Sequence, residues 1–436
     1  MTVTPPLILA SNDKTSEQPA SPFNRSAQHD AKRTAILSQA AMLFNSKGSR
    51  ATTLRDIAES LGLTKTSLYY YVKTKEELIY QCYMAALERH HANLDKIEQQ
   101  HSDPLARASA FFLQHFDNWA AAREGKGVHI AALMEIASLK GSHRKDVEAQ
   151  YIAMFKRIRQ YLRDGIEQGE LRQCDATSAT RAILGSVEWI FYWLHNVPAD
   201  QVQSIAQQAL DILTRGLYAG PGDFQRTHIK LQPAASSQVH GFDREEQNRL
   251  KQEAFYKTGT WFFNKKGFNG ASLDEIAEHL KVSKGAFYYH IKNKEDLLFN
   301  CYRYSLDIIQ NLQEQAAATQ VSGLQKVELS CRQIFYAQNS EQGPLIRYTT
   351  ITALPPPLRR EVLRRSNANN SMFESFIKAG IKDGSVRAVN TSVAQNLIAG
   401  AVNAAMDISV WRRVDDLEDA ATDYFDVFLN GLLPRA

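Results

Sequence analysis

Nearly the same fifteen residues occur twice in this chain, TKTSLYYYVKTKEEL at 64–78 and SKGAFYYHIKNKEDL at 283–297. No other feature restricts the fold so tightly, because a repeat at this separation means a duplicated unit and not a short solenoid repeat. The offset is 219 (Tyr288 minus Tyr69). It holds without a gap from Lys47/Lys266 to Tyr83/Tyr302, with identical pairs at Gly48/Gly267, Ile57/Ile276, Ala58/Ala277 and Cys82/Cys301. Further on, DGIEQGELR at 164–172 aligns with AGIKDGSVR at 379–387 at an offset of 215 (Gly380 minus Gly165), as does Gly185 with Gly400. Two copies of about two hundred residues therefore differ by a net four residues in their middles.

Each copy reads as helix. Leu105, Phe112, Phe116 and Trp119 recur at helical spacing, as do Ile152, Phe155, Ile158 and Leu162, while strand-like alternation is nearly absent. In copy one a helix carrying Ile36, Ala40, Leu43 and Phe44 stops at Gly48. A short helix then opens at the cap candidates Thr52 and Thr53 and stops at Gly62, and Thr64 can cap a third. Two short helices around a tight glycine turn are the arithmetic of a helix-turn-helix. The third helix turns Leu68 inward and presents Lys65, Thr66, Ser67, Tyr70 and Tyr71 on the other face, a mixture suited to phosphates and base edges.

The totals set limits. At 436 residues the chain exceeds one ordinary core. A net charge of +4 confines any nucleic-acid role to local patches. Cys82, Cys174, Cys301 and Cys331 stand apart without a CxxC, which argues against a zinc site or disulfide framework and fits a cytoplasmic protein. No apolar run approaches the ~18–20 residues that cross a bilayer, so no membrane partner is expected. The N-terminal stretch lacks a basic region ahead of its apolar LILA patch and does not read as a signal peptide. His90 and His91 are adjacent and cannot clamp one metal as an i, i+4 pair could. No catalytic triad, carboxylate pair or phosphate-cradling loop can be assembled, so neither an enzyme, a metal nor a cofactor is expected.

Taken in order, the first-helix Phe and Gly, TxxxIA, LG, the cap, the Tyr pair and the KxEL opening the next helix resemble the tetracycline-repressor (TetR) family of bacterial transcriptional regulators, and both copies carry them. The resemblance implies an all-α chain of two tandem units, each an N-terminal three-helix helix-turn-helix domain followed by a helical ligand-binding and dimerisation domain. The expected organisation is a flexible tail (1–30), a first DNA-binding domain (31–78), a first ligand and interface domain (79–218), a Gly/Pro/Ser-rich linker (219–243), a second DNA-binding domain (244–297) and a second ligand and interface domain (298–436).

The resemblance further implies that Lys65, Thr66, Ser67, Tyr69, Tyr70 and Tyr71 of copy one meet double-stranded operator DNA. Their copy-two equivalents are Lys284, Gly285, Ala286, Tyr288, Tyr289 and His290. Thr53, Arg55, Lys75 and Lys294 fall where the family touches the DNA backbone. Tyr69 and Tyr288 have an alternative place, packed beneath the reading helix. Asp274 stands where copy one has Arg55, which removes a positive contact.

Aromatics behind each DNA domain suggest a pocket for a largely apolar small-molecule effector: Phe112, His115, Phe116, Trp119, Met134, Tyr151 and Phe155 in copy one, and Phe335, Tyr348, Phe373 and Phe376 in copy two. The aromatic block Trp189–Trp193 suits a helix buried between partners. The resulting expectation is a ligand-responsive repressor that acts as an intrachain pseudo-dimer on an imperfect palindrome. A homodimer of the tandem chain is a further expected partner. The competing expectation is a small-molecule sensor or assembly protein in which one or both helix-turn-helix units are degenerate.

Overall fold

The computed structural model describes residues 25–231, 244–340, 343–405 and 408–435; the side chains of 25–27, 134 and 244 lie outside that description. Among the described residues the chain is helical, with one isolated bridge, Tyr218–Val386, in place of any strand. Copy one comprises α1 (Arg25–Lys47), α2 (Leu54–Ser60), α3 (Lys65–Tyr71), α4 (Lys75–Gln100), α5 (Pro104–Arg123), a 3-10 turn (Leu133–Ser138), α6 (Gly141–Glu167), α7 (Ala176–Glu188), α8 (Ile190–Trp193) and α9 (Val202–Arg215). Copy two repeats the order with α10 (Arg244–Gly270), α11 (Leu273–His279), α12 (Lys284–His290), α13 (Lys294–Ala318), α14 (Gly323–Asn339), a 3-10 turn (Tyr348–Ala353), α15 (Pro356–Asp383), α16 (Thr391–Ala404), α17 (Ile408–Trp411) and α18 (Leu417–Leu429).

Local chemistry sets these boundaries. Gly48 and Gly267 take φ of 84° and 66°, a left-handed conformation that only glycine adopts at little cost; it ends α1 and, at the matching position, kinks α10. Thr53 and Asp56 form a reciprocal capping box that starts α2. The hydroxyl of its neighbour Thr52 instead turns inward and donates to the Gly48 carbonyl. Thr64 and Ser283 cap α3 and α12, accepting from the amides of Ser67 and Ala286.

The net four-residue difference falls after the fifth helix. The N-caps Asp103 and Ser322, and the buried Phe116 and Phe335, still keep the offset of 219. The two 3-10 turns already keep 215. An identical staple bridges the change in both copies. Asn45 donates to Ile130 O at 2.8 Å and accepts from Ala132 N at 2.9 Å. Asn264 does the same with Leu345 O at 2.9 Å and Arg347 N at 3.0 Å. Each amide side chain thus ties the first helix to the segment behind it and satisfies two backbone groups off the helix ladder.

The copies meet through their last helices. Helices α7 and α9 pack against α16 and α18 around a buried seam of Ala179, Ala182, Ile183, Leu397, Ala401 and Phe428. Gly185 and Gly400 sit in mutual contact there; a Cβ on Gly185 would lie 2.4 Å from the Ala404 Cβ, so only glycine lets the backbones approach. The polar rim is reciprocal. Arg172 Nε donates to Gly431 O at 2.7 Å and its guanidinium pairs with Asp426, while Arg387 Nε donates to Gly216 O at 2.5 Å and pairs with Asp211 at 2.6 Å.

Two stretches behave differently from the sequence expectation. Helix α1 begins at Arg25, inside the stretch read as tail, and His29 stacks on Tyr71 with centroids 4.9 Å apart. The start of the stretch read as linker, 219–231, is pinned to copy two. Thr227 is buried and held by Glu328 and Arg332, and Arg332 itself pairs with Glu328 at 2.6 Å and Glu418 at 3.0 Å. A buried guanidinium needs that many acceptors, and the segment supplies three of them, the Thr227 hydroxyl and the carbonyls of Thr227 and Ile229. Residues 1–24 and 232–243, with the remainder of tail and linker, lie outside the described residues.

Candidate nucleic-acid interface and an internal cavity

Helices α3 and α12 each bury one anchor, Leu68 and Phe287, both fully inaccessible. The opposite faces are open. Tyr70 is 74% exposed and Tyr289 85%, unusual for large aromatic side chains. Lys65, Thr66 and Ser67 are exposed, as are Lys284, Gly285 and Ala286. Tyr69 and Tyr288 are at 37% and 44%, so neither is packed away beneath its helix. Tyr71 and His290 are half-buried, against His29 and Phe255 respectively.

The two faces differ in charge. In copy one Arg55 pairs along its own helix with Glu59 at 2.6 Å, and Lys65 lies over the Tyr69 ring, its ammonium free of carboxylates among the described residues. In copy two the carboxylate of Asp274 takes Lys284 Nζ at 2.7 Å and the Tyr288 hydroxyl at 3.3 Å. The Lys284 hydrogen bond holds Asp274 below the usual carboxylate range, and the same contact raises Lys284. One substitution therefore engages two of the groups expected to read DNA.

Lys75 and Lys294 do not project outward as the sequence suggested. Lys75 Nζ donates to the carbonyls of Arg50 and Thr52 at 3.4 and 3.3 Å, and Lys294 Nζ to Ala271 O at 2.8 Å. Burial lowers the pKa of both. They brace the turn between the first two helices, whose carbonyls lack helix partners. Sequence reasoning also missed Arg50, which joins the two DNA-binding halves. It pairs with Glu295 at 2.5 Å, donates to Ala353 O at 2.8 Å and lies 4.3 Å over the Phe268 ring. Its partners are more than two hundred residues away, so no local signal could have found it.

A cavity of about 550 Å³ lies in copy one between α1, α5, α6 and α7. Of the residues expected to line it, His115, Trp119 and Tyr151 do. Phe112, Phe116 and Phe155 are core instead, since helical periodicity turns them toward neighbouring helices; Phe155 stacks on Trp411 of copy two at 4.0 Å. The side chain of Met134 lies outside the description. Phe335, Phe373 and Phe376 of copy two are buried in core, and Tyr348 sits among Trp189, Tyr192 and Tyr302. Unforeseen lining residues are His90, Asn118 and Glu188 of copy one and Ile351, Thr352, Arg359 and Leu363 of copy two. Glu188 accepts from the Tyr151 hydroxyl at 2.5 Å and faces Arg181 at 3.5 Å. Burial keeps His90 and His115 neutral, the latter lowered to about 4. The stapled segment Ile130–Ala132 forms part of the wall.

A family model matches both copies of the reading domain. The family model for bacterial regulatory proteins of the tetR family matches residues 36–82 and again 258–301. The tetracyclin repressor-like C-terminal domain model matches 103–217. The HTH-type transcriptional repressor KstR2 of Mycobacterium tuberculosis is 26% identical over 192 residues, which cover 44% of this chain and 94% of the relative. The uncharacterized HTH-type transcriptional regulator YerO of Bacillus subtilis is 41% identical over 71 residues, 15% of this chain and 25% of the relative. Among solved structures, the ketosteroid transcriptional regulator KstR2 of Mycobacterium tuberculosis overlaps 42% of this chain and 92% of its own, with 28% identity and a TM-score of 0.36. Among the described residues no helix is long and apolar enough to cross a membrane.

Proposed function

We propose that this chain, a DNA-binding regulator of the TetR family that carries the family's reading domain twice, is a ligand-responsive repressor acting as its own pseudo-dimer in the cytoplasm. The observation that carries the reading is the exchange of roles between Arg172–Gly431 and Arg387–Gly216. In a twofold interface residue i meets j and j meets i. Reciprocity inside one chain lets α3 and α12 serve as the paired readers that a conventional regulator obtains by dimerising.

Because the readers differ, the operator is an imperfect palindrome. Thr66–Ser67 offers hydroxyls where copy two has Gly285–Ala286, and Asp274 weakens the second face. The Lys and Tyr residues of α3 and α12 are the expected contacts to bases and phosphates, with Thr53 and Arg55 beside them on the backbone.

The cavity supplies the switch. Its wall includes Met42, Asn45 and Ser46 of α1 together with Ile130–Ala132, the segment that Asn45 clamps. A ligand that moves this segment pulls α1, and α2 and α3 with it. Release from DNA then follows from the ligand's preference for the displaced state. Gel-shift titration of the full chain on its own promoter region, with and without the Asn45→Leu change, tests this reading. The expected result is a specific complex in both proteins and loss of effector response only in the variant; no sequence preference in the wild-type chain contradicts it.

A further inference from the structure

We propose that the copy-one cavity takes a neutral, largely apolar molecule with a hydroxyl group at one end, which donates to His115 Nε2 and accepts from Asn118 Nδ2, so that sensing belongs to copy one alone. The inference rests on reading the cavity as the effector site and adds the chemistry of what fills it.

The tautomer of His115 is fixed by a neighbour. Its Nδ1 lies 2.9 Å from the Phe111 carbonyl, which can only accept, so Nδ1 carries the hydrogen. In the neutral ring Nε2 is then an acceptor and calls for a donor from the ligand. Asn118 stands three residues on, on the same helical face, and its Nδ2 is buried with no hydrogen-bond partner among the described residues. A hydroxyl satisfies both, since it donates and accepts through one oxygen; an ether lacks the hydrogen that Nε2 requires. His90 stacks on His115 at 5.0 Å and 20° between planes, so two imidazoles border this end of the cavity and a ring system can pack beside them.

The charges in the wall disfavour an anion. Glu188 already lines the cavity, paired with Tyr151 and Arg181. Among the lining residues the one Arg or Lys is Arg359, which comes from copy two and reaches toward the Lys47 carbonyl at 3.5 Å. A carboxylate placed between His115 and Asn118 would be desolvated without a cation beside it.

Copy two cannot make this end. At the offset of 219, kept through α5 and α14, Ile309, Ile334 and Ala337 stand where copy one has His90, His115 and Asn118. Its contribution is the far wall, through Ile351, Thr352 and Leu363.

Three fluorescent probes that differ at one substituent test the proposal: hydroxypyrene, methoxypyrene and pyrenecarboxylate, each titrated into the full chain. Hydroxypyrene is expected to bind once per chain and about tenfold more tightly than methoxypyrene, the worth of one buried hydrogen bond and its unmet partner. Pyrenecarboxylate is expected to bind most weakly. His115→Phe keeps the ring and should erase the preference for hydroxyl over methoxyl while methoxypyrene still binds. Equal affinity of the first two probes in the wild-type chain, or tightest binding of the carboxylate, overturns the hydroxyl assignment and leaves the cavity as a ligand site. Two molecules bound per chain overturns the restriction to copy one. Binding of none of the three overturns the effector cavity itself. The wild-type comparison decides the matter even if the variant fails to fold.

Discussion

Arg172 and Arg387 are 215 residues apart and do the same work on opposite sides of one seam: each Nε donates to the carbonyl of the other copy's left-handed glycine, Gly431 or Gly216. Each guanidinium also takes the other copy's aspartate, Asp426 or Asp211. The seam between them is narrow enough that Gly185 and Gly400 are in direct contact.

Gly185→Leu is therefore expected to force the two copies apart. The new side chain meets Ala404 and the Gly400 carbonyl at once, and overpacking of this kind costs about 1–3 kcal/mol. Chemical denaturation should show the loss, and DNA affinity should fall although both readers are untouched. An unchanged midpoint would mean that the seam yields more easily than its contacts imply.

Asp274→Ala should strengthen DNA binding. It releases Lys284 and the Tyr288 hydroxyl and removes a negative charge from the reading face of copy two. The salt dependence of binding should steepen by about one phosphate contact. Titration at several salt concentrations measures both effects.

Lys75→Ala and Tyr70→Ala should separate bracing from reading. Lys75 holds two carbonyls of the turn before α2, so its loss is expected to lower stability by about 1 kcal/mol. Tyr70 is 74% exposed and should leave stability unchanged, while affinity for the cognate half-site drops about tenfold. Thermal melts and gel shifts on the same two proteins check the pair. A Tyr70→Ala chain that binds cognate DNA normally contradicts the role given to α3.

His115 gives a pH signature. Its pKa is lowered from the ordinary value of 6.5 to about 4 in the fold, chiefly by burial. Between those values the unfolded chain binds a proton that the folded chain refuses, so stability falls as pH drops from 6.5 toward 4. His115→Phe should flatten this part of the profile in denaturation series run across that range. Retention of the full slope would assign it to other groups, His90 first among them.

Much of this was legible in the sequence, for physical reasons. Gly48, Gly267 and the cap residues are local signals, and the constant offset carried the duplication. Leu68 was readable as an anchor because a short helix has one inward face, and Phe287 holds the matching position at the offset of 219. The contacts of Arg50 and of Arg359 were not readable, since their partners lie in the other copy. Lys75 and Lys294 misled because sequence places a lysine but not the direction of its ammonium, and unpaired carbonyls nearby captured both. The cavity was half-readable. Periodicity marks apolar faces, yet Phe112 and Phe116 turned toward core while His90 and Asn118 turned toward space.

The central claim is that one chain carries both readers of one operator. Native mass spectrometry of the full chain on its promoter fragment, with a second fragment in which about five base pairs, roughly half a helical turn, separate the half-sites, tests it most directly. The account predicts one chain per operator and loss of the complex on the spaced fragment. Two chains per operator, with binding that tolerates the insertion, would contradict it.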